Sequence, residues 1–247
     1  MSNSCDNIGY EDFRLMALDQ SLSAHEKIGF PDSYRNGYEQ AIFEDILEKL
    51  PDLKERQKQV LDIGPGCAGL PRLLIDHCVT QGHSVLLVDS AEMLSLLPDG
   101  AAVTKIAGRY PDCHEALAEW RGKVDALLCY SVFHYVFVEA NIWRFLDLSI
   151  ELLAPGGRML IGDIPNVSKR KRFFSSERGI RFHQEFMNTA DVPQVDFRAV
   201  EPDRIDDAVI LGLLMRARAQ GCDAYWLPQP SMLPMANRRE DIVVVKP

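Results

Sequence analysis

Short apolar runs alternate with longer stretches in which apolar positions recur every three or four residues. Runs at 59–63, 84–88, 103–107, 124–129 and 158–164 read as strands, since each is four to eight residues long and bounded by polar or turn residues. Between them, 70–81, 91–97, 114–120 and 139–153 carry helical periodicity, and Ala154-Pro155-Gly156-Gly157 stops the last of these. This β–α alternation predicts a parallel sheet with helices on both faces. Ahead of it, 10–22 predicts a short helix and Gly29-Phe30-Pro31-Asp32 a turn. Asn36 is placed to cap a second helix, whose Tyr38, Ile42, Ile46 and Leu50 share one face and which Pro51 ends.

After the fifth strand the rhythm breaks. Residues 165–200 read as an insertion, 203–220 as a helix with Pro202 at its first turn, and 223–227 and 241–246 as strands. The linker between these two strands is too short for a crossover helix, so they are expected to be antiparallel neighbours. The expected architecture is α/β, a Rossmann-like doubly wound sheet, mostly parallel with an antiparallel last strand. A helical cap (1–52) precedes a ligand-binding domain (53–247) that carries the insertion 165–200.

Composition narrows the function. A net charge of −9 argues against general nucleic-acid binding, which needs a basic face. Against that background the insertion stands out. Lys169, Arg170, Lys171, Arg172, Arg178 and Arg181 face only Glu177 and Glu185 across 166–185, interleaved with Phe173, Phe174, Phe182 and Phe186. A lid of this kind suits an anionic or polyhydroxylated small molecule. The alternative is a solvated loop. The six cysteines form no C-x-x-C pair and no metal-ligand cluster, so no metal is expected, and free buried thiols suit a reducing cytoplasm. The first residues lack the basic and apolar regions of a signal peptide, and the longest apolar stretch, 126–138, is too short for a membrane span.

The stretch with the clearest chemistry is Val60-Leu61-Asp62-Ile63-Gly64-Pro65-Gly66-Cys67-Ala68-Gly69, a strand, a glycine turn and a helix start. Gly64, Gly66 and Gly69 let a ligand lie directly on the backbone. Asp89 ends the next strand, where a carboxylate can accept from both hydroxyls of a ribose. That much fits any adenosine ligand. Asp62, however, would repel a pyrophosphate and attract an ammonium. Pro65 removes a backbone donor that a phosphate would use. Both favour a ligand with an amino-acid end.

The sequence resembles the class I, seven-stranded, S-adenosylmethionine-dependent methyltransferases. The resemblance lies in 60–69, in Leu87-Val88-Asp89-Ser90 with Met93-Leu94, in Val124-Asp125 followed by Val132-Phe133-His134-Tyr135, and in Leu153-Ala154-Pro155-Gly156-Gly157-Arg158. It implies S-adenosyl-L-methionine as cofactor and S-adenosyl-L-homocysteine as product. Gly64, Pro65, Gly66 and Gly69 would line the methionine part, Asp62 would lie near its amino group, and Asp89 would hold the ribose. Ser90 and Met93 would lie beside ribose and adenine, and Gly108 and Arg109 would border the adenine. Arg109 stands where many relatives have an acidic residue, leaving Asp112 or the backbone to serve the adenine amino group. Tyr130 and Ser131 would face the methionine part, and Tyr34 and Arg35 would close over it, the Arg toward its carboxylate. His134, Asp163 and His183 are the candidate bases if the acceptor must lose a proton.

The resulting expectation is a cytoplasmic enzyme that methylates oxygen or nitrogen on a small molecule such as a sugar, a nucleotide-sugar or a phosphorylated metabolite, with no nucleic-acid or membrane partner. The alternatives are an NAD(P)-dependent oxidoreductase and a non-catalytic S-adenosylmethionine-binding protein.

Overall fold

The strands assemble into one seven-stranded sheet in the order β3-β2-β1-β4-β5-β7-β6. They are β1 (Gln59–Ile63), β2 (Ser84–Asp89), β3 (Val103–Ala107), β4 (Val124–Tyr130), β5 (Leu153–Pro165), β6 (Asp223–Pro228) and β7 (Arg239–Val245). A computed structural model describes residues 8–247; Cys5 and the start of the N-terminal cap lie outside them. β1 to β5 run parallel, and β7 is antiparallel to both β5 and β6. β1 pairs with β2 on one side and β4 on the other, so the strand order reverses there and the carboxyl ends of β1 and β4 open a crevice.

Both faces of the central strands are buried, which explains their near-continuous apolar sequence. Leu61, Ile63, Leu86 and Val88 face α7 (Ile142–Leu152) and α10 (Asp207–Ala219), with Phe145, Leu146, Ile210 and Leu213 completing that core. Val60, Val85 and Leu87 face α3 (Glu39–Lys49) and α4 (Gly69–Gln81) through Ile42, Ile46, Leu74 and Ile75. The predicted helix at 36–50 is therefore one layer of the main core. The part of the N-terminal segment that lies over the crevice is α1 (Tyr10–Leu18), a 3-10 turn (Glu26–Ile28) and the one-turn α2 (Asp32–Arg35).

Several boundaries differ from expectation. Asn36 follows α2 and does not cap α3, whose N-cap is Tyr38. The segment read as one helix over 139–153 is preceded by α6 (Phe133–Glu139), and α7 starts afresh where the Asn141 side chain accepts from the Trp143 and Arg144 amides at 3.0 Å each. Residues His114–Trp120 form a 3-10 helix. α10 begins after Asp206, which accepts from the Val209 amide at 3.0 Å, so Pro202 lies outside it. The insertion folds as α8 (Val167–Phe174), capped by Asn166, and α9 (Glu177–Met187), capped by Ser176. Among the described residues, no helix is long and apolar enough to cross a membrane.

Candidate active site

The glycine turn sits at the carboxyl end of β1. Gly64 and Gly66 have φ of 70° and 66°, the left-handed region that an L side chain rarely adopts. A Cβ on Gly66 would come within 2.6 Å of Ile28 Cγ2, and one on Gly64 within 2.7 Å of Val132 Cγ2. Both glycines and Pro65 line a cavity of about 150 Å³. Gly69 instead opens α4 and does not line it.

Two acidic side chains stand behind this turn. Asp89 accepts from the Gly66 amide at 3.0 Å on one oxygen and from the Ser90 amide at 2.7 Å on the other. A carboxylate has about four lone-pair positions, so both oxygens keep acceptor capacity where they line the cavity. Burial pushes Asp89 up to about 6 despite those two amides. Asp62 is 4% exposed and has no side-chain hydrogen bond among the described residues. Burial, with Asp89 nearby, pushes it up to about 8. Asp62 lies beneath the turn and does not line the cavity. An isolated buried carboxyl is the environment a cation would relieve.

The remaining wall comes from several elements. Met93, on α5 (Ala91–Ser95), lines it, whereas Ser90 is the N-cap of that helix and accepts from the Met93 amide at 3.1 Å. Gly108 and Arg109 line it, with Arg109 held by Asp112 through Nε at 2.8 Å and Nη2 at 2.6 Å. Sequence reasoning missed the apolar cover. Tyr10, Phe13, Ile28 and Phe30 come from the N-terminal segment, and Tyr135 and Val136 from α6. The signal that could have found α6 was the Ala140-Asn141 break. The segment is pinned by Arg14 on Glu92 and by His25 between Asp32 (2.9 Å) and Glu39 (2.6 Å).

Beside the glycine turn lies a buried polar network. Arg35 Nη2 donates to Ser131 Oγ at 2.5 Å and to Asp163 Oδ2 at 2.7 Å, and the Ser131 hydroxyl donates to the same Asp163 oxygen at 2.6 Å. Ser131 follows β4 with φ 61°, and Asp163 sits at the irregularity of β5 with φ 57°. Arg35 also stacks on Phe30 at 4.3 Å, and its buried Nε has no partner. Gln229 Nε2 reaches Asp241 Oδ1 at 3.1 Å and Tyr130 Oη at 3.4 Å. Lys49 Nζ in turn holds Asp241 at 2.5 Å. Arg35, Tyr130 and Ser131 line the cavity; Asp163 is held behind them.

A second cleft, of about 790 Å³, adjoins this wall. Tyr34 lines it, along with Gln229, Lys169, Arg172, Phe173, Arg178 and Arg238. The basic run on α8 is largely paired inside the protein: Lys169 with Glu240 (3.2 Å), Arg170 with Glu201 (2.6 Å), Lys171 with Glu201 (3.3 Å) and Arg172 with Asp207 (2.5 Å).

None of the three candidate bases lines either cavity. His134, on α6, is half-buried with an unpartnered Nδ1, and burial together with Arg239 pulls it down to about 3, so it is neutral at physiological pH. For Asp163, burial pushes upward, but Arg239, Arg35 and the Ser131 hydroxyl outweigh it and hold the carboxyl below the usual range. His183 packs edge-on against Phe174 on the insertion. Among the described residues, no group of three or more His, Cys, Asp or Glu is placed to hold a metal ion.

No protein-family model matches the sequence, and no curated protein is significantly similar to it. Solved structures match over nearly the full chain. A Listeria monocytogenes protein described as an S-adenosylmethionine-dependent methyltransferase aligns with TM-score 0.56 and 17% identity, over 85% of this chain and 98% of that one. The plantazolicin methyltransferase BamL, in complex with a triazolic desmethylPZN analogue and SAH, aligns with TM-score 0.58 and 14% identity over 96% of both. The CurJ carbon methyltransferase aligns with TM-score 0.54 and 16% identity, over 96% of this chain and 64% of that one. The fold is that of the class I, seven-stranded S-adenosylmethionine-dependent methyltransferases.

Proposed function

We propose that this chain is an S-adenosylmethionine-dependent methyltransferase acting at oxygen or nitrogen of a small molecule. The observation that carries the reading is Asp89. It is a half-buried carboxylate at the end of β2, bonded to the glycine turn, with spare acceptor capacity on both oxygens in the cavity. Bound there, the cofactor supplies a methyl group on a positively charged sulfur.

Asp89 accepts from the ribose hydroxyls, and Gly64, Pro65 and Gly66 let the methionine part lie against the backbone. Asp62 offsets the ammonium from beneath the turn, and the free Nε of Arg35 serves the carboxylate. Tyr130 and Ser131 border the same part, while Met93, Gly108 and Arg109 border the adenine. Tyr10, Phe13, Phe30 and Tyr135 exclude water from above. None of His134, Asp163 and His183 is poised as a strong base. Catalysis then rests on alignment of the acceptor and exclusion of water, and the acceptor proton leaves to solvent or to a weak base.

The test is calorimetric titration with S-adenosylhomocysteine and with NAD(P)H, followed by screening metabolites for acceptor-dependent S-adenosylhomocysteine formation. Binding of S-adenosylhomocysteine but not NAD(P)H, with turnover, supports the reading. Binding of NAD(P)H alone refutes it. Tight S-adenosylhomocysteine binding without turnover on any acceptor favours a non-catalytic binding protein.

A further inference from the structure

The second cleft carries chemistry that the cofactor does not use. Its volume of about 790 Å³ is in the range of small-molecule sites. Lys169, Arg172, Arg178 and Arg238 line it, and no carboxylate does. Lys169 and Arg172 are answered by Glu240 and Asp207. Arg178 has no carboxylate partner among the described residues, and Arg238 bonds only Asn237 Oδ1, at 3.1 Å. Arg238 is half-buried, and burial together with the adjacent Arg239 lowers its pKa. A guanidinium kept in such a place without a counter-charge is a cost that an anion would remove.

The same cleft is lined by Phe182 and Phe186, which stack with ring centres 5.9 Å apart and planes 9° apart, and by Tyr34, 6.5 Å from Phe186. Phe186 is 61% exposed, an open ring face beside unneutralised charge. Gln229, 6% exposed, lines the same cleft. Asp241 can only accept, so it fixes the Gln229 amide nitrogen on its own side. The Gln229 Oε1 is buried and unpartnered. It is an acceptor waiting for a hydroxyl or an amine.

We propose that this cleft binds the methyl acceptor, and that the acceptor is a planar-ring oxyanion of nucleotide type. Its phosphate or carboxylate lies at Arg238 and Arg178, its ring on the Phe186 face, and a hydroxyl or amine donates to Gln229 Oε1. Only the word acceptor rests on the methyltransferase reading; the anion site stands by itself.

The test is calorimetry on the full chain loaded with S-adenosylhomocysteine, using uridine diphosphate, pyrophosphate, uridine and benzoate as probes. Uridine diphosphate is expected to bind, with uridine and pyrophosphate each weaker by about tenfold or more, since each lacks one half of the site. Arg238→Ala and Arg178→Ala should each weaken uridine diphosphate by about tenfold and leave S-adenosylhomocysteine affinity unchanged, with Arg238→Lys in between. Benzoate binding with the same dependence on Arg238, in place of uridine diphosphate, supports the ring-anion site and overturns its assignment to a nucleotide. Absence of binding by both ring anions at about 10 mM overturns the proposal. So does binding that Arg238→Ala leaves untouched. Failure of S-adenosylhomocysteine itself to bind strikes the cofactor reading alone, and the same titrations of the unloaded protein then decide the anion site.

Discussion

Asp89→Asn is expected to make the empty protein more stable while weakening its cofactor site, and both effects have one origin. Burial pushes Asp89 up to about 6, against about 3.9 for a free aspartate. Roughly two units at about 1.4 kcal/mol each weaken folding by about 3 kcal/mol at neutral pH. Asparagine removes the charge, but its side chain has one acceptor oxygen. It can keep only one of the bonds from the Gly66 and Ser90 amides, and the other amide is left short by about 1–2 kcal/mol. The net gain is about 1–2 kcal/mol, a few degrees in Tm for a chain of this size.

The pH dependence follows from the sign of the shift. The ionised form carries the cost, so the parent's deficit is complete above about pH 6, shrinks as pH falls through that value and is gone near about pH 4. The variant's advantage should shrink in step. Loss of charge-assisted acceptance from two ribose hydroxyls, about 1.5–3 kcal/mol each, should weaken S-adenosylhomocysteine binding at least about tenfold. Scanning calorimetry at neutral and acidic pH, with and without S-adenosylhomocysteine, measures both. A variant less stable than the parent at neutral pH, or one equally stabilised by S-adenosylhomocysteine, refutes the reasoning.

Four further outcomes follow from the site. Arg35→Ala leaves Asp163 buried without its closest cation and should cost roughly 3 kcal/mol in urea unfolding; adding Asp163→Asn should restore part of it. Gly66→Ala adds a Cβ at positive φ within 2.6 Å of Ile28, and should cost about 1–2 kcal/mol with reduced S-adenosylhomocysteine affinity by titration; parent-like affinity would show that the turn does not touch the ligand. His134→Gln should leave the pH–rate profile of methyl transfer unchanged near neutrality, because His134 already titrates at about 3; an acidic limb present in the parent and absent from the variant would make His134 the base. Asn141→Ala removes the cap of α7 and should cost about 1 kcal/mol in thermal unfolding.

The central strands were legible because they are buried on both faces, and the edge strand β3 because polar and turn residues bound its short apolar run. The runs at 59–63 and 103–107 coincide with β1 and β3 residue for residue. Helix ends were less legible, because several polar residues compete for the same cap. Asn36 had the right chemistry but lies three residues before α3, and Asp206 took the role at α10 that Pro202 suggested for an earlier start. In the site, Asp89 could be placed because its position follows from the strand that ends there. The Arg35–Asp163 pair joins residues 128 apart, and no local pattern announces it. The same holds for Arg238, an ordinary surface-like arginine in sequence, and for Glu201, Asp207 and Glu240, which quench a basic run that looked free.

α2 is a single turn, yet its consecutive residues Tyr34 and Arg35 face different chambers, one the wide cleft and the other the narrow cavity. The narrow cavity, at about 150 Å³, is below the usual range for a ligand of cofactor size (about 300–1,000 Å³), so binding one is expected to displace the N-terminal segment that covers it. Lifting it also removes one wall of the neighbouring cleft. On the proposed assignment of the two chambers, the donor binds before the acceptor, because closure of the segment over the narrow cavity sets the Tyr34 wall of the cleft. Steady-state kinetics should show a compulsory order, with S-adenosylhomocysteine competing against the donor and not against the acceptor.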